Sequence, residues 1–136
     1  MINIIYGAKG TGKTKQIIDK ANLEVEVAKG NIVFLTDKKG YDYHVSYSIR
    51  LLMMEEFEIT SNNDFVGFIK GLIAGDRDIE HIYIDGVHRI CKKDIKDLKE
   101  LFEQFELIGK KFGTNFTLAI SLSEEDLPEF LNKYYQ

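Results

Sequence analysis

The sequence predicts an α/β fold, a mostly parallel sheet of about five strands flanked by helices. Two observations lead to this prediction. Short, β-prone apolar runs alternate with longer stretches whose apolar residues recur at helical spacing, as expected for strands joined by crossover helices. The run at 32–35, IVFL, is continuously apolar, which is typical of a strand buried on both faces of a parallel sheet.

The first half of the chain contains clear elements up to residue 40 and an ambiguous stretch after it. The apolar spacing in 14–28 indicates a helix, and Gly30 lies where a helix-ending glycine belongs. Residues 41–60 suit either a strand or a helix, and we predict a strand near 48–53. The elements predicted in this half are strand 2–6, helix 14–28, strand 32–35 and strand 48–53.

The second half has the clearest helix of the chain, at 94–111, with apolar residues on one face and charges on the other. Ser123 followed three residues later by Asp126 resembles a capping box before a final helix. No linker-like tract interrupts the chain, so we predict one domain over residues 1–136. The elements predicted in this half are helix 63–74, strand 82–85, helix 94–111, strand 116–122 and helix 127–134.

Composition excludes several classes of protein. The net charge of −4 provides no basic field, so nucleic acid is an unlikely ligand. Cys91 is the only cysteine, which excludes an internal disulfide and a cysteine-rich zinc module. No apolar run approaches the roughly 18 residues of a membrane helix, and the N-terminus does not resemble a signal peptide. We therefore predict a cytoplasmic protein without a membrane partner.

A glycine-rich segment between the first strand and the first helix predicts a phosphate site. Residues 7–14, GAKGTGKT, match the pattern G-x-x-x-x-G-K-[ST]. In this pattern the glycines let backbone N–H groups point at phosphate oxygens, the lysine reaches the β- and γ-phosphates, and the hydroxyl ligates Mg²⁺. The predicted phosphate-binding residues are Gly7, Ala8, Lys9, Gly10, Thr11, Gly12, Lys13 and Thr14. On this motif the chain resembles the P-loop NTPase superfamily.

That resemblance implies an acidic residue at the end of a neighbouring strand, where it holds the water shell of the metal. Asp85 ends the strand at 82–85 and looks like this Walker B acid, with helix capping as the alternative. Lys13 and Asp85 are therefore the first catalytic candidates. The predicted cofactor is Mg²⁺ with ATP or GTP, held by Thr14 directly and by Asp85 through water.

The catalytic base is harder to assign. In the additional-strand class of these ATPases a glutamate usually follows the Walker B acid, but Gly86 stands there in this chain. Hydrolysis should therefore be slow or use another group. His88 is one candidate, and a polar loop residue is its alternative. Asp37, at the end of the second predicted strand, is another.

Ser121 and Ser123 both follow the strand at 116–122, where the resemblance implies a hydroxyl that senses the γ-phosphate. We prefer Ser121, because Ser123 is also a candidate helix cap. Lys9 is predicted to be a solvated loop lysine.

The remaining aromatic and cationic candidates have two interpretations each. An aromatic cluster follows the second predicted strand and suits either a base or partner contact or a cover over the core. The three arginines are expected at the surface, with phosphate contact across a subunit interface as the alternative. These residues are Tyr41, Tyr43, His44 and Tyr47, and Arg50, Arg77 and Arg89.

Several levels of likeness bear on function. The order of motifs resembles the RecA-like class, in which the last strand inserts between the P-loop strand and the Walker B strand. Together with residues 84–86 (IDG) and 127–131 (LPEFL), the P-loop resembles small bacterial ATP-binding proteins often labelled twitching-motility ATPase-like. This likeness implies a minimal nucleotide-binding domain and not a pilus motor.

The leading hypothesis is a Mg-nucleotide binding domain with weak NTPase activity that acts as a switch for a partner. Its ligand is a nucleotide, and a protein partner or self-association stays open. The first alternative is a small-molecule or nucleoside kinase resembling the thymidine kinase core. The second is a non-catalytic interaction module with a structural nucleotide site.

Overall fold

The structure is a computed structural model that describes residues 1–134. Within that range the chain alternates strands with helices, as the sequence predicts. The strands are β1 (Ile2–Gly7), β2 (Asn31–Thr36), β3 (Arg50–Met53), β4 (Ile79–Asp85) and β5 (Asn115–Ser121). The α-helices are α1 (Lys13–Glu24), α2 (Asn62–Gly75), α3 (Val87–Cys91) and α4 (Lys99–Phe112). Single turns of 3₁₀-helix lie at Met54–Phe57, Ile95–Asp97, Glu124–Asp126 and Glu129–Leu131.

The five strands form one parallel sheet in the order β1-β5-β4-β2-β3. This confirms the predicted fold class and the insertion of the last strand, β5, between β1 and β4. The register sets Gly7 beside Ser121 and Thr36 beside Asp85. Because all strands run the same way, their carboxyl ends meet at one edge of the sheet, where ligands of open α/β sheets bind.

Helices cover both faces of the sheet, so the strands are buried on two sides. One face packs against α2 and α4 and is rich in phenylalanine, including Phe65, Phe102 and Phe105. The other face packs against α1, whose Ile17 and Ala21 are fully buried. The continuous apolar run in β2 follows from this arrangement, since both faces of that strand are covered.

The predicted helix at 127–134 is wrong. One 3₁₀ turn, Glu129–Leu131, lies in this range, and Pro128 before it is extended, with φ −60° and ψ 143°. A proline in the first turn does not by itself prevent a helix. The N–H groups of Leu131, Asn132 and Tyr134 instead donate to carbonyls three residues earlier, the tighter 3₁₀ pattern. Ser123 does not cap a helix; its Oγ donates to Asp126 Oδ2 at 2.8 Å.

Other element boundaries shift by a few residues. The strand predicted near 48–53 is observed at Arg50–Met53, the helix predicted at 14–28 ends at Glu24, and the α-helix predicted from 94 begins at Lys99 after a 3₁₀ turn. The sequence did not predict α3, because five residues are too few to establish a periodicity. Among residues 1–134, the model contains no helix with the length and apolar character needed to cross a bilayer.

Candidate functional site

Residues 7–14 form a tight loop that joins β1 to α1. Gly10 and Gly12 have φ of 85° and 83°, a left-handed conformation that favours glycine. A side chain at Gly7 would crowd Thr11, because an added Cβ would lie 2.8 Å from Thr11 Oγ1. The first turn of α1 begins at once, with Gln16 N donating to Gly12 O at 3.0 Å. The glycines therefore stand where the backbone requires them.

Lys13 begins α1 and folds back over the loop. Its side chain is 7% exposed, and Nζ donates to Ala8 O at 2.7 Å. Thr11 Oγ1 donates to the same carbonyl at 2.7 Å. Burial lowers the pKa of Lys13, and the neighbouring ammonium of Lys38 lowers it further. A buried ammonium held by a backbone carbonyl, with a second cation beside it, is suited to exchange that carbonyl for an anion.

Thr14 and Asp85 meet across the site although they are 71 positions apart in the chain. Thr14 Oγ1 donates to Asp85 Oδ2 at 3.0 Å, and Asp85 is 3% exposed. Burial raises the pKa of Asp85, and the hydrogen bond from Thr14 partly opposes that effect. On the other side, Lys38 Nζ donates to Thr14 Oγ1 at 2.9 Å. The hydroxyl thus lies between a carboxylate and an ammonium.

Asp37 lies in the same site, but its carboxylate is bound to Arg89. Arg89 Nε is 3.0 Å from Asp37 Oδ2 and Nη2 is 3.1 Å from Asp37 Oδ1. Arg89 Nη2 also lies 3.9 Å from Asp85 Oδ1. The arginine comes from α3, the short helix that follows Asp85, so it bridges the ends of β2 and β4.

His88 and Ser121 also line the cleft. His88 Nδ1 is buried and has no hydrogen-bond partner among residues 1–134, and burial lowers the pKa of this imidazole. Ser121 ends β5 directly beside Gly7. Ser123 is exposed and bound to Asp126, which agrees with the preference for Ser121.

These groups surround a cleft of about 430 Å³ at the carboxyl edge of the sheet. Other hollows of about 590 and 760 Å³ lie beside β3 and are not lined by residues of the 7–14 loop. Five of the side chains that line the cleft are cationic, those of Lys9, Lys13, Lys15, Lys38 and Arg89. The other lining residues are Gly10, Gly12, Thr14, Tyr41, Asp85, His88 and Ser121.

The two oxygen ligands of the cleft suit Mg²⁺, which needs few protein ligands, better than a metal ion that takes all its ligands from protein side chains. No group of three or more His, Cys, Asp or Glu side chains suited to a metal occurs among the described residues. The Thr14 hydroxyl and the Asp85 carboxylate are hard oxygen ligands on adjacent elements. Mg²⁺ commonly takes one or two such protein ligands and completes its shell with substrate phosphates and water.

The structure explains why glycine follows Asp85. Gly86 has a φ of 86°, and its N–H donates to Ala119 O at 3.1 Å. A Cβ at this position would overlap the guanidinium of Arg89. A glutamate here would therefore be strained and would displace Arg89, so this backbone does not suit a catalytic acid at position 86.

This leads to a stability prediction. Gly86→Ala should lower the free energy of unfolding by about 1 kcal/mol or more, because it places a side chain in the left-handed region. Gly71→Ala is the matched control, since Gly71 lies in α2 with open space around it. Urea denaturation measures both, and the control should be neutral or stabilising. Equal stability of Gly86→Ala and wild type would contradict the backbone assignment.

Lys9 and the aromatic residues that follow β2 differ in how they stand to the cleft. Lys9 is exposed at the rim of the cleft. Tyr41 lines the cleft, whereas Tyr43 and Tyr47 are 95% and 100% exposed. The buried side chains between β2 and β3 include Val45 and Ile49, which belong to the same apolar cluster as Ile17 of α1.

Sequence reasoning missed Lys38 and placed Arg89 at the surface. The available signal was position, because Lys38 directly follows the acid at the end of β2. Basic residues at the carboxyl end of any buried parallel strand deserve consideration wherever a phosphate loop occupies the same edge.

Comparison with known proteins supports the fold. The chain matches no protein-family model and no curated protein sequence. Its structure is similar to that of the flagellar accessory protein FlaH from Methanocaldococcus jannaschii, with a TM-score of 0.65 and 12% sequence identity. The match covers 94% of this chain and 63% of FlaH. The fold is RecA-like. At this identity the likeness concerns the fold alone.

Proposed function

We propose that this chain binds a Mg-nucleotide, ATP or GTP, in the cleft formed by residues 7–14, and hydrolyses it slowly. The observation that carries the proposal is the 3.0 Å hydrogen bond between Thr14 Oγ1 and Asp85 Oδ2. It joins the end of the phosphate-loop pattern to an acid on a different strand, as a shared metal site requires. Lys13 begins the same helix turn and lines the same cleft.

Each residue has a distinct part in this proposal. The backbone N–H groups of the loop and the Lys13 ammonium bind phosphate oxygens, in place of the Ala8 carbonyl that Lys13 now contacts. The Thr14 hydroxyl and the Asp85 carboxylate hold the ligand shell of the ion. When bound, Mg²⁺ would neutralise negative charge on the phosphate oxygens.

We expect slow hydrolysis because no carboxylate is free to activate the attacking water at the two positions considered first, 86 and 37. Gly86 replaces the usual glutamate, and Asp37 is bound to Arg89 through two of its nitrogens. His88 is the better candidate to accept a proton from water, because its buried Nδ1 has no partner among residues 1–134. Ser121 would contribute a hydroxyl beside the γ-phosphate, from the strand next to Gly7.

Slow turnover suits a nucleotide-controlled switch that changes its contact with a partner. The sequence resemblance to small bacterial proteins labelled twitching-motility ATPase-like supports a minimal nucleotide-binding domain of this kind. We place its action in the cytoplasm, with a second copy or another protein as the partner.

Ligand-dependent stability tests the binding step. Mg-ATP or Mg-GTP should raise the melting temperature, because a ligand that binds only the folded state adds about 2.7 kcal/mol at a hundredfold excess over Kd. Differential scanning fluorimetry with each nucleotide, and with Mg²⁺ alone as the control, measures the shift. A melting temperature unmoved by millimolar nucleotide would refute the proposal.

Single-turnover assays separate hydrolysis from the other two functions. With γ-labelled ATP, a slow ATPase releases labelled phosphate without an acceptor. A kinase transfers the label to a nucleoside or another small acceptor, and an interaction module leaves the nucleotide intact. Running the assay with and without candidate acceptors distinguishes these outcomes.

A further inference from the structure

Lys38 and Arg89 add two positive charges to the cleft beyond the lysine of the phosphate loop. Lys38 follows β2 and its Nζ lies 2.9 Å from Thr14 Oγ1. Arg89 lies on α3, bound to Asp37, with Nη2 3.9 Å from Asp85 Oδ1. Both cations therefore lie against the groups proposed to hold the metal.

Neither cation can keep its contact with Thr14 or Asp85 when a metal ion binds there, whereas the ion pair of Arg89 with Asp37 does not involve these two residues. The Thr14 hydroxyl donates its proton to Asp85 and accepts from Lys38, so a divalent ion at that oxygen would face an ammonium at close range. Like charges at such separations repel strongly in a partly buried site. The same reasoning applies to the Arg89 nitrogen beside Asp85.

The terminal phosphate of a bound nucleotide would give the displaced Lys38 and Arg89 side chains a new anion to contact. A nucleoside triphosphate whose phosphates lie against the 7–14 loop would place its terminal phosphate in the cleft that Lys38 and Arg89 line. Lys13 would bind phosphate oxygens from the loop side of the cleft. The planar guanidinium of Arg89 also suits phosphate oxygens, because its paired N–H donors match two acceptors at once.

We propose that Lys38 and Arg89 transfer their contacts from Thr14 and Asp85 to the terminal phosphate, so that the site prefers a nucleoside triphosphate to a diphosphate. This rests on the proposed function. At present Lys38 donates to the Thr14 hydroxyl and Arg89 lies beside the Asp85 carboxylate, and an arriving phosphate would replace these two contacts.

Binding measurements with two nucleotides test this directly. Isothermal titration calorimetry in Mg²⁺ would compare ADP with AMP-PNP, a triphosphate analogue that resists hydrolysis, for wild type, Lys38→Gln and Arg89→Gln. Lys20→Gln and Arg77→Gln are the charge-matched controls. Lys20 is an exposed lysine of α1 outside the residues that line the cleft, and Arg77 lies over the ring of Phe112.

Each cleft variant should weaken AMP-PNP binding roughly tenfold or more and ADP binding less than about threefold, because only the triphosphate carries the contacted group. The controls should change both affinities equally and by less than about threefold. Equal losses for the two nucleotides in a cleft variant, or no loss for either, would overturn the inference.

Two further measurements keep the test decisive. Arg89→Lys retains the positive charge but loses the paired donors, so it should recover part of the AMP-PNP affinity if Arg89 contacts phosphate. The melting temperature of each variant without nucleotide identifies any general loss of folding. The wild type is also titrated with GDP and GMP-PNP, the guanine pair. A wild type that binds none of the four nucleotides refutes the proposed function itself, whereas one that binds diphosphate and triphosphate equally refutes only this selectivity.

Discussion

Lys13→Ala is expected to weaken nucleotide binding roughly tenfold or more, with Mg²⁺ or without it. The variant removes a charge-assisted hydrogen bond to phosphate in a site that excludes much of the solvent, a loss of about 1.5–3 kcal/mol. Because Lys13 acts on phosphate charge and not on the metal, the loss should be the same in EDTA. Calorimetric titration in both conditions measures it.

The same variant should leave the unliganded fold intact. Burial lowers the pKa of Lys13, which means that the folded state disfavours its charged form, so removing the ammonium relieves a cost while it breaks the bond to Ala8 O. Lys20→Ala is the control, since it removes an exposed lysine of the same helix that lies outside the residues lining the cleft. Unchanged affinity in Lys13→Ala would contradict the assignment of the phosphate site.

Asp85→Asn should impair nucleotide binding mainly when Mg²⁺ is present. The substitution is nearly isosteric and can still accept the hydrogen bond from Thr14 Oγ1. It removes the negative charge that faces the metal, so the difference from wild type should shrink in EDTA. Asp19→Asn, on the exposed surface of α1, is the charge-matched control. Equal loss in both conditions would make Asp85 a structural cap and not a metal ligand.

Asp85→Asn should also raise the melting temperature of the unliganded protein at pH 7. Burial raises the pKa of Asp85 above its ordinary value, so the folded state pays a cost for the ionised form at neutral pH. That cost is absent below the unfolded pKa, where the carboxyl is protonated in both states, and it grows as pH rises through the folded pKa. The advantage of the variant over wild type should therefore disappear on acidification. A variant that unfolds at pH 7 would contradict this account.

Lys13 and Asp85 are both engaged by groups of the protein itself in this structure. Lys13 contacts a backbone carbonyl, and Asp85 contacts a hydroxyl and lies near Arg89. Such arrangements trade stability for binding, as functional sites commonly do. The two residues should therefore contribute to function without stabilising the empty protein.

Local pattern was sufficient to predict much of the fold. Glycine spacing in residues 7–14, the apolar run in β2 and the amphipathic stretch that became α4 are properties of neighbouring residues, and neighbouring residues decide local geometry. Local pattern failed at 127–134, where the chain forms a 3₁₀ turn that buries Leu131 and Tyr134. The Tyr134 carbonyl there accepts from Ile4 N of β1, so a tertiary contact that the helical spacing does not reveal fixes the path of the chain.

The sequence by itself determined the α/β class, the glycine-rich loop at 7–14 and the acid at the end of β4, because each is a property of contiguous residues. Only the tertiary structure decided which side chains meet at the sheet edge. The contact of Lys38 with Thr14 spans 24 positions, and that of Arg89 with Asp37 spans 52. Strand order and register bring these residues together, and neither is readable from the separation of residues along a chain.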